Sequence, residues 1–136
     1  MNGFANPADK TVLIVDDDDS VRELLEFVVK KEGFKVEKAV DGEEALNKAR
    51  QVLPDLILLD LMLPKFGGFE ILRELQNDET SGIPIVIITG RYTDRSTADM
   101  IRQEPNVKDF FEKPVKPQLI AAILHKVLKT QPQLKR

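Results

Sequence analysis

Hydrophobic positions along the chain change period repeatedly, and the changes divide it into elements. Thr11–Val15 (TVLIV), Leu56–Leu59 (LILL) and Ile85–Ile88 (IVII) are short unbroken apolar runs. Such runs are expected of strands buried on both faces of a parallel sheet. Lys35–Ala39 (KVEKA) is more polar, as suits an edge strand, and Val107–Phe111 is a weaker fifth strand. Helical spacing falls between them. Val21, Leu24, Leu25 and Val28 lie on one helix face, with Asp18 and Asp19 read as helix caps, Ser20 and Glu23 offering a capping box and Gly33 a C-terminal cap. Asp41 and Glu44 open a second helix containing Ala45, Leu46 and Ala49; Phe69–Leu75 predicts a third and Ser96–Gln103 a weakly amphipathic fourth. Leu119, Ile120, Ile123, Leu124, Val127 and Leu128 form a broad stripe on a fifth. Five alternations of strand and helix predict a single α/β domain, a three-layer sandwich with a five-stranded parallel sheet and five helices.

In such a sheet, ligands bind beyond the carboxyl ends of the strands. The chain places its polar residues there: Asp16–Asp19 after the first strand, Asp60 after the third, Thr89 ending the fourth, and Lys113 after the fifth. The pattern predicts a pocket holding carboxylates, a hydroxyl and an ammonium. Clustered carboxylates repel one another unless a cation sits among them. A hard cation such as Mg2+, which takes one or two carboxylates and completes its shell with water and phosphoryl oxygen, answers that need. A carboxylate can also accept a phosphoryl group as an acyl phosphate, a transfer that asks mainly for positioning and charge neutralisation. Composition does not say which aspartate is attacked.

The remaining composition narrows the classes. The chain has no cysteine, which excludes disulfides, thiolate zinc sites and thiol nucleophiles. A net charge of −3 gives no global case for nucleic acid, and no apolar run reaches the roughly 20 residues that span a bilayer. Nothing resembles a signal peptide, and a cytoplasmic location is expected. Lys126, Lys129, Lys135 and Arg136 read as a solvated basic end, and His125, off the apolar stripe, as a solvated residue.

Four stretches in order, VLIVDDD (Val12–Asp18), PDLILLDLMLP (Pro54–Pro64), IITG (Ile87–Gly90) and FFEKP (Phe110–Pro114), resemble the response-regulator receiver domain of two-component signalling. The resemblance runs from about Thr11 to Leu128. It implies a flavodoxin-like fold with strand order 2-1-3-4-5. It implies that Asp60 is the phosphoacceptor, that Asp16, Asp17, Asp60 and the Met62 backbone carbonyl bind Mg2+, and that Thr89 and Lys113 meet phosphoryl oxygens. Thr89 and Phe110 would shift together as a switch. The implied partners are a sensor histidine kinase or histidine phosphotransfer protein as donor and a downstream effector at the face of helix 4, strand 5 and helix 5. A phosphorylation-dependent homodimer is a further expectation; nucleic acid and membrane are not expected partners of this chain. The only enzymatic activity implied is the chain's own phosphorylation and dephosphorylation. Residues 1–10 would be a loose leader or expression remnant, 11–129 the receiver domain, and 130–136 a tail or linker stub.

Departures from the family pattern fall at Phe66-Gly67-Gly68, at Gly90 in place of a commoner alanine, and across Arg91–Asn106. Met62 and Arg91 occupy positions that tune the lifetime of the acyl phosphate, and two bulky side chains there suggest slow decay. Two other readings compete. Asp17-x-Asp19 with Thr89-Gly90 and a later lysine imitates a haloacid-dehalogenase-type phosphatase, but no acidic residue follows Lys113 and Asp60 is left without a role. A receiver-like binding module that is never phosphorylated would normally lack one of the chemical residues, and none is missing. A calcium loop beginning at Asp16 fails, because Val21 stands where the turn glycine belongs and Phe27 where the bidentate glutamate belongs.

Overall fold

In the computed structural model the described residues are 3–64, 67–77, 79–90 and 95–132. The order is β1 (Thr11–Val15), α1 (Asp19–Lys31), β2 (Lys35–Ala39), α2 (Gly42–Val52), β3 (Leu56–Leu59), α3 (Gly68–Glu74), β4 (Ile85–Thr89), α4 (Arg95–Arg102), β5 (Val107–Glu112) and α5 (Pro117–Leu128). The strands pair in parallel in the order β2-β1-β3-β4-β5. The sequence-predicted strands and helices agree with these to within a residue or so at each end.

Alternation along the three central strands decides the layers. Leu13, Val15, Ile57, Leu59, Ile85 and Ile87 pack on one side with Ala45, Leu46 and Ala49 of α2, Ile71 and Leu72 of α3 and Ile101 of α4. Val12, Ile14, Leu56, Leu58, Val86 and Ile88 pack on the other with Leu25, Val28 and Val29 of α1 and Ile120, Ile123, Leu124 and Leu128 of α5. Each fully buried Leu or Ile contributes about 1.5–3 kcal/mol, so both faces of the sheet supply the stability that fixes the strand ends.

Several local expectations are corrected. The Ser20–Glu23 capping box is not formed: Asp18, as its reading as a cap anticipates, is the N-cap of α1, its carboxylate accepting from the amides of Ser20 (2.8 Å) and Val21 (3.2 Å), and Ser20 lies inside the helix. On α1 the buried face carries Val29, while Leu24 is exposed; on α5, Leu119 is exposed. His125 is buried rather than solvated: Nε2 lies 2.8 Å from Glu32 Oε1 and Nδ1 2.6 Å from Thr130 Oγ1, with Phe34 against the ring. Its face of α5 turns toward the end of α1, which supplies the polar partner that a buried imidazole requires.

α1 closes as expected around Gly33. With Gly33 at φ 95°, its amide bonds the Lys30 carbonyl (3.0 Å) and the Phe34 amide bonds the Val29 carbonyl (3.2 Å), the paired bonds of a left-handed helix stop. Residues 3–10, expected to be loose, hold a short 3-10 turn at Pro7–Asp9, and Ala5 bridges Thr130.

Candidate functional site

Each chemical side chain hangs from the last rung of the sheet. The Asp16 amide bonds the Ala39 carbonyl (3.2 Å), the Asp60 amide bonds the Val15 carbonyl (3.0 Å), and the Lys113 amide bonds the Thr89 carbonyl (2.7 Å). The last of these depends on a bulge. β5 pairs Val107 with Ile85 but Asp109 with Val86, so Lys108 is the extra residue. The one-residue slip brings Thr89 opposite Glu112 and sends Phe110 into the layer that holds α2, α3 and α4, with Phe111 in the other.

Four of the residues expected from the sequence come together here. Asp16, Asp60 and Thr89 are buried, and the Lys113 ammonium lies 2.9 Å from Asp16 Oδ2 and 3.2 Å from Asp60 Oδ2. Asp17 is exposed, yet Asp16, Asp17 and Asp60 each bring a carboxylate oxygen into a group lying within 4.8 Å of one another. Asp16 Oδ1 accepts from the Asp18 amide (2.9 Å) and Asp60 Oδ1 from the Met62 amide (3.0 Å). Among the described residues two buried atoms have no hydrogen-bond partner: Thr89 Oγ1, and Asp16 Oδ2, which is ion-paired with Lys113 Nζ at 2.9 Å. Unsatisfied buried polar atoms are rare in native proteins and call for a partner.

The electrostatics follow from this crowding. Burial pushes the Asp60 carboxyl above its ordinary pKa, the Asp16 charge adds to the push, and the Met62 amide and Lys113 oppose it. Burial alone would lower the Lys113 ammonium, but Asp16 and Asp60 outweigh it and hold its pKa above the usual lysine value. One cation facing three carboxylates is an incomplete balance, and a set of hard oxygen donors remains open to a further positive charge.

Phe110 is half-buried on β5, with the Arg102 guanidinium 5.2 Å above its ring. The Met62 side chain is exposed. Arg91 lies outside the described residues, as do Phe66, Lys135 and Arg136. Arg22 was missed by the sequence reading: its Nη1 donates to the Asp16 carbonyl (2.9 Å) and its Nη2 pairs with Asp19. A cation in the first turns of a helix opposes the dipole, and that misplacement was the available signal.

The family model described as the response regulator receiver domain matches residues 12–125. The chain belongs to the response-regulator receiver family. The receiver is 43% identical over 112 residues to the DNA-binding response regulator MtrA of Mycobacterium tuberculosis, covering 82% of this chain and 47% of that protein. It is 36% identical over 120 residues to the alkaline phosphatase synthesis transcriptional regulatory protein PhoP of Bacillus subtilis, covering 88% and 49%. The receiver thus spans about half the length of the curated relatives it matches. Among solved structures, the chemotaxis response regulator CheY4 of Vibrio cholerae superposes with a TM-score of 0.78 at 28% identity, covering 88% of this chain and 98% of that one. The REC domain of AraT, a response regulator from Geobacillus stearothermophilus, gives 0.77 at 28% identity over 88% and 93%. Membership of this family of signalling switches leaves the dehalogenase-type reading without support. Among the described residues no helix is long and apolar enough to cross a membrane.

Proposed function

We propose that this receiver takes a phosphoryl group onto Asp60 from a phosphohistidine donor, with Mg2+ bound by Asp16, Asp17, Asp60 and the Met62 backbone carbonyl. The observation that carries the reading is Asp60 itself: a buried carboxylate at the end of the third strand, facing Asp16 and Lys113, with an oxygen in a group of hard donors shared with Asp16 and Asp17. The residues fit a divalent cation, since three carboxylate oxygens converge and, among the described residues, Asp16 Oδ2 has only the Lys113 ammonium beside it. When bound, the ion neutralises charge on the transferring phosphoryl oxygens and lowers the repulsion among the aspartates.

The chain's own groups do the rest. An Asp60 carboxylate oxygen forms the new bond to phosphorus while the donor's P–N bond breaks, its electron pair and a proton ending on the leaving imidazole. The Met62 amide holds Asp60 Oδ1 and so fixes the carboxylate plane. Lys113, held protonated by two carboxylates, is positioned to meet one phosphoryl oxygen, and the unpartnered Thr89 hydroxyl another. Acetyl phosphate can replace the protein donor, because positioning and charge are the whole demand. The chain catalyses only its own phosphorylation and dephosphorylation in this reading.

Movement of Thr89 toward a phosphoryl oxygen would release space toward Phe110, changing the face of α4, β5 and α5 offered to an effector or to a second phosphorylated copy. The donor is a sensor histidine kinase or phosphotransfer protein, and the setting is the cytoplasm. Residues 11–129 form the receiver unit in this reading, with 1–10 and 130–136 flanking it. Met62 and Arg91, each two places beyond a site residue in the sequence, favour a long-lived acyl phosphate.

Intact-protein mass after incubation with acetyl phosphate tests the reading. The native chain is expected to gain one phosphoryl group only with Mg2+, and Asp60→Asn to gain none. No gain in the native chain would return weight to a non-phosphorylated binding module. A gain that persists in Asp60→Asn would place the acceptor elsewhere.

A further inference from the structure

Asp16 is tied down three ways. Its amide bonds β2 through the Ala39 carbonyl, its Oδ1 accepts from the Asp18 amide at 2.9 Å, and its carbonyl accepts from Arg22 Nη1 at 2.9 Å. Asp17 differs. It is exposed, and among the described residues no hydrogen bond or ion pair holds its side chain. Its direction is therefore set by the Asp16–Asp17 peptide, and among the described residues the one side chain that grips that peptide is Arg22.

Arg22 is itself anchored. Its other nitrogen pairs with Asp19, and its side chain is only 16% exposed although it springs from the start of α1. The planar guanidinium serves the two acceptors from two different nitrogens in a fixed fork, a geometry that the single nitrogen of an ammonium does not reproduce. Its location is otherwise unfavourable twice over: a cation near a helix N-terminus opposes the dipole, and a cation beside an acidic group that awaits a metal competes with it by charge. A residue retained at such a place is expected to act through geometry.

We infer that Arg22 is a positioning residue of the acidic loop, fixing the Asp16–Asp17 peptide so that the Asp17 carboxylate converges with Asp16 and Asp60 on one divalent cation. The inference rests on the metal-dependent reading of the site above. It predicts an effect opposite in sign to simple electrostatics. Removing a neighbouring positive charge should tighten cation binding if charge decides, and loosen it if geometry decides.

Calorimetric titration of Mg2+ alone into the native chain, Arg22→Met and Arg22→Lys separates these. Arg22→Met is expected to bind Mg2+ roughly ten-fold more weakly, the usual scale for loss of a group that orients a metal ligand. Arg22→Lys should fall between Arg22→Met and the native chain, because it keeps the charge but replaces the rigid two-nitrogen fork with a single nitrogen on a flexible stem. Tighter binding in Arg22→Met, or native affinity in both variants, would overturn the inference. Failure of the native chain to bind Mg2+ would instead overturn the metal reading itself. Melting temperatures in chelator show which variants fold, and Arg22→Lys carries the test should Arg22→Met fail to.

Discussion

Asp60, the phosphoacceptor we propose, meets two opposed demands: it must be ionised to attack, yet it lies buried beside another carboxylate. Burial and Asp16 raise its pKa against the help of Met62 and Lys113. A carboxyl whose native pKa exceeds its unfolded value favours the fold fully while protonated, below the unfolded value near 3.8. That contribution drains away as pH rises through the higher native value. The Asp60 contribution to the stability of the metal-free receiver should therefore fall as pH rises above the unfolded value and through the higher native one, and Asp60→Asn should lack that fall. At neutral pH in chelator the variant is expected to be more stable by on the order of 1 kcal/mol, the scale of one poorly placed buried polar group. Thermal melts across that range check it; an Asp60→Asn profile no flatter than the native one would contradict the raised pKa. This residue was legible in the sequence because four apolar neighbours place it at a strand end. His125 was not, because its partners Glu32 and Thr130 come from the end of another helix and from beyond α5. Helical spacing cannot show a partner supplied by a second element.

Helix ends and strand registers were legible in unequal degree. β1, β3 and β4 stand out because burial on both faces leaves unbroken apolar runs. β5 reads weakly for a physical reason: the bulge at Lys108 breaks its alternation, putting Val107 and Phe110 on the same side of the sheet three positions apart. The start of α1 was ambiguous because Asp18, Asp19 and Ser20 are all good caps. Only Asp18 has the extended backbone of a cap, φ −84° and ψ 118°, with its carboxylate on two free amides. Asp18→Ala should therefore cost about 1 kcal/mol, whereas Ser20→Ala, inside the helix, should be near neutral by comparison. Urea midpoints of the two variants decide the assignment, and a larger loss for Ser20→Ala would restore the capping box. The same helix start carries Arg22, so the cap and the acidic loop form one mechanical unit at the end of β1.

At the scale of the whole molecule, the described chain is closed on itself near both of its ends. The Ala5 amide bonds the Lys129 carbonyl (2.9 Å), and the Lys10 carbonyl accepts from Lys35 at the edge of the sheet (2.9 Å). Thr130 is buried beside His125, so the exit from α5 is joined to the end of α1 and, through the Ala5 bridge, to the segment preceding β1. A chain beginning at Thr11 would keep every residue of the candidate site and both packing layers but lose these two backbone bonds. Each contributes about 1 kcal/mol net, so the shortened receiver should be roughly 2 kcal/mol less stable, lowering Tm by several degrees. Ala5→Pro removes only the first amide and should cost about half as much. Acetyl phosphate should still modify Asp60 in both, because the site is held by sheet rungs that neither change touches. Calorimetric melts together with intact mass distinguish the outcomes. A native Tm in the shortened chain would mean that residues 3–10 merely lie against the fold. A loss of phosphoryl uptake would mean that the far end of the sheet is coupled to the site, which a rigid five-stranded frame does not predict.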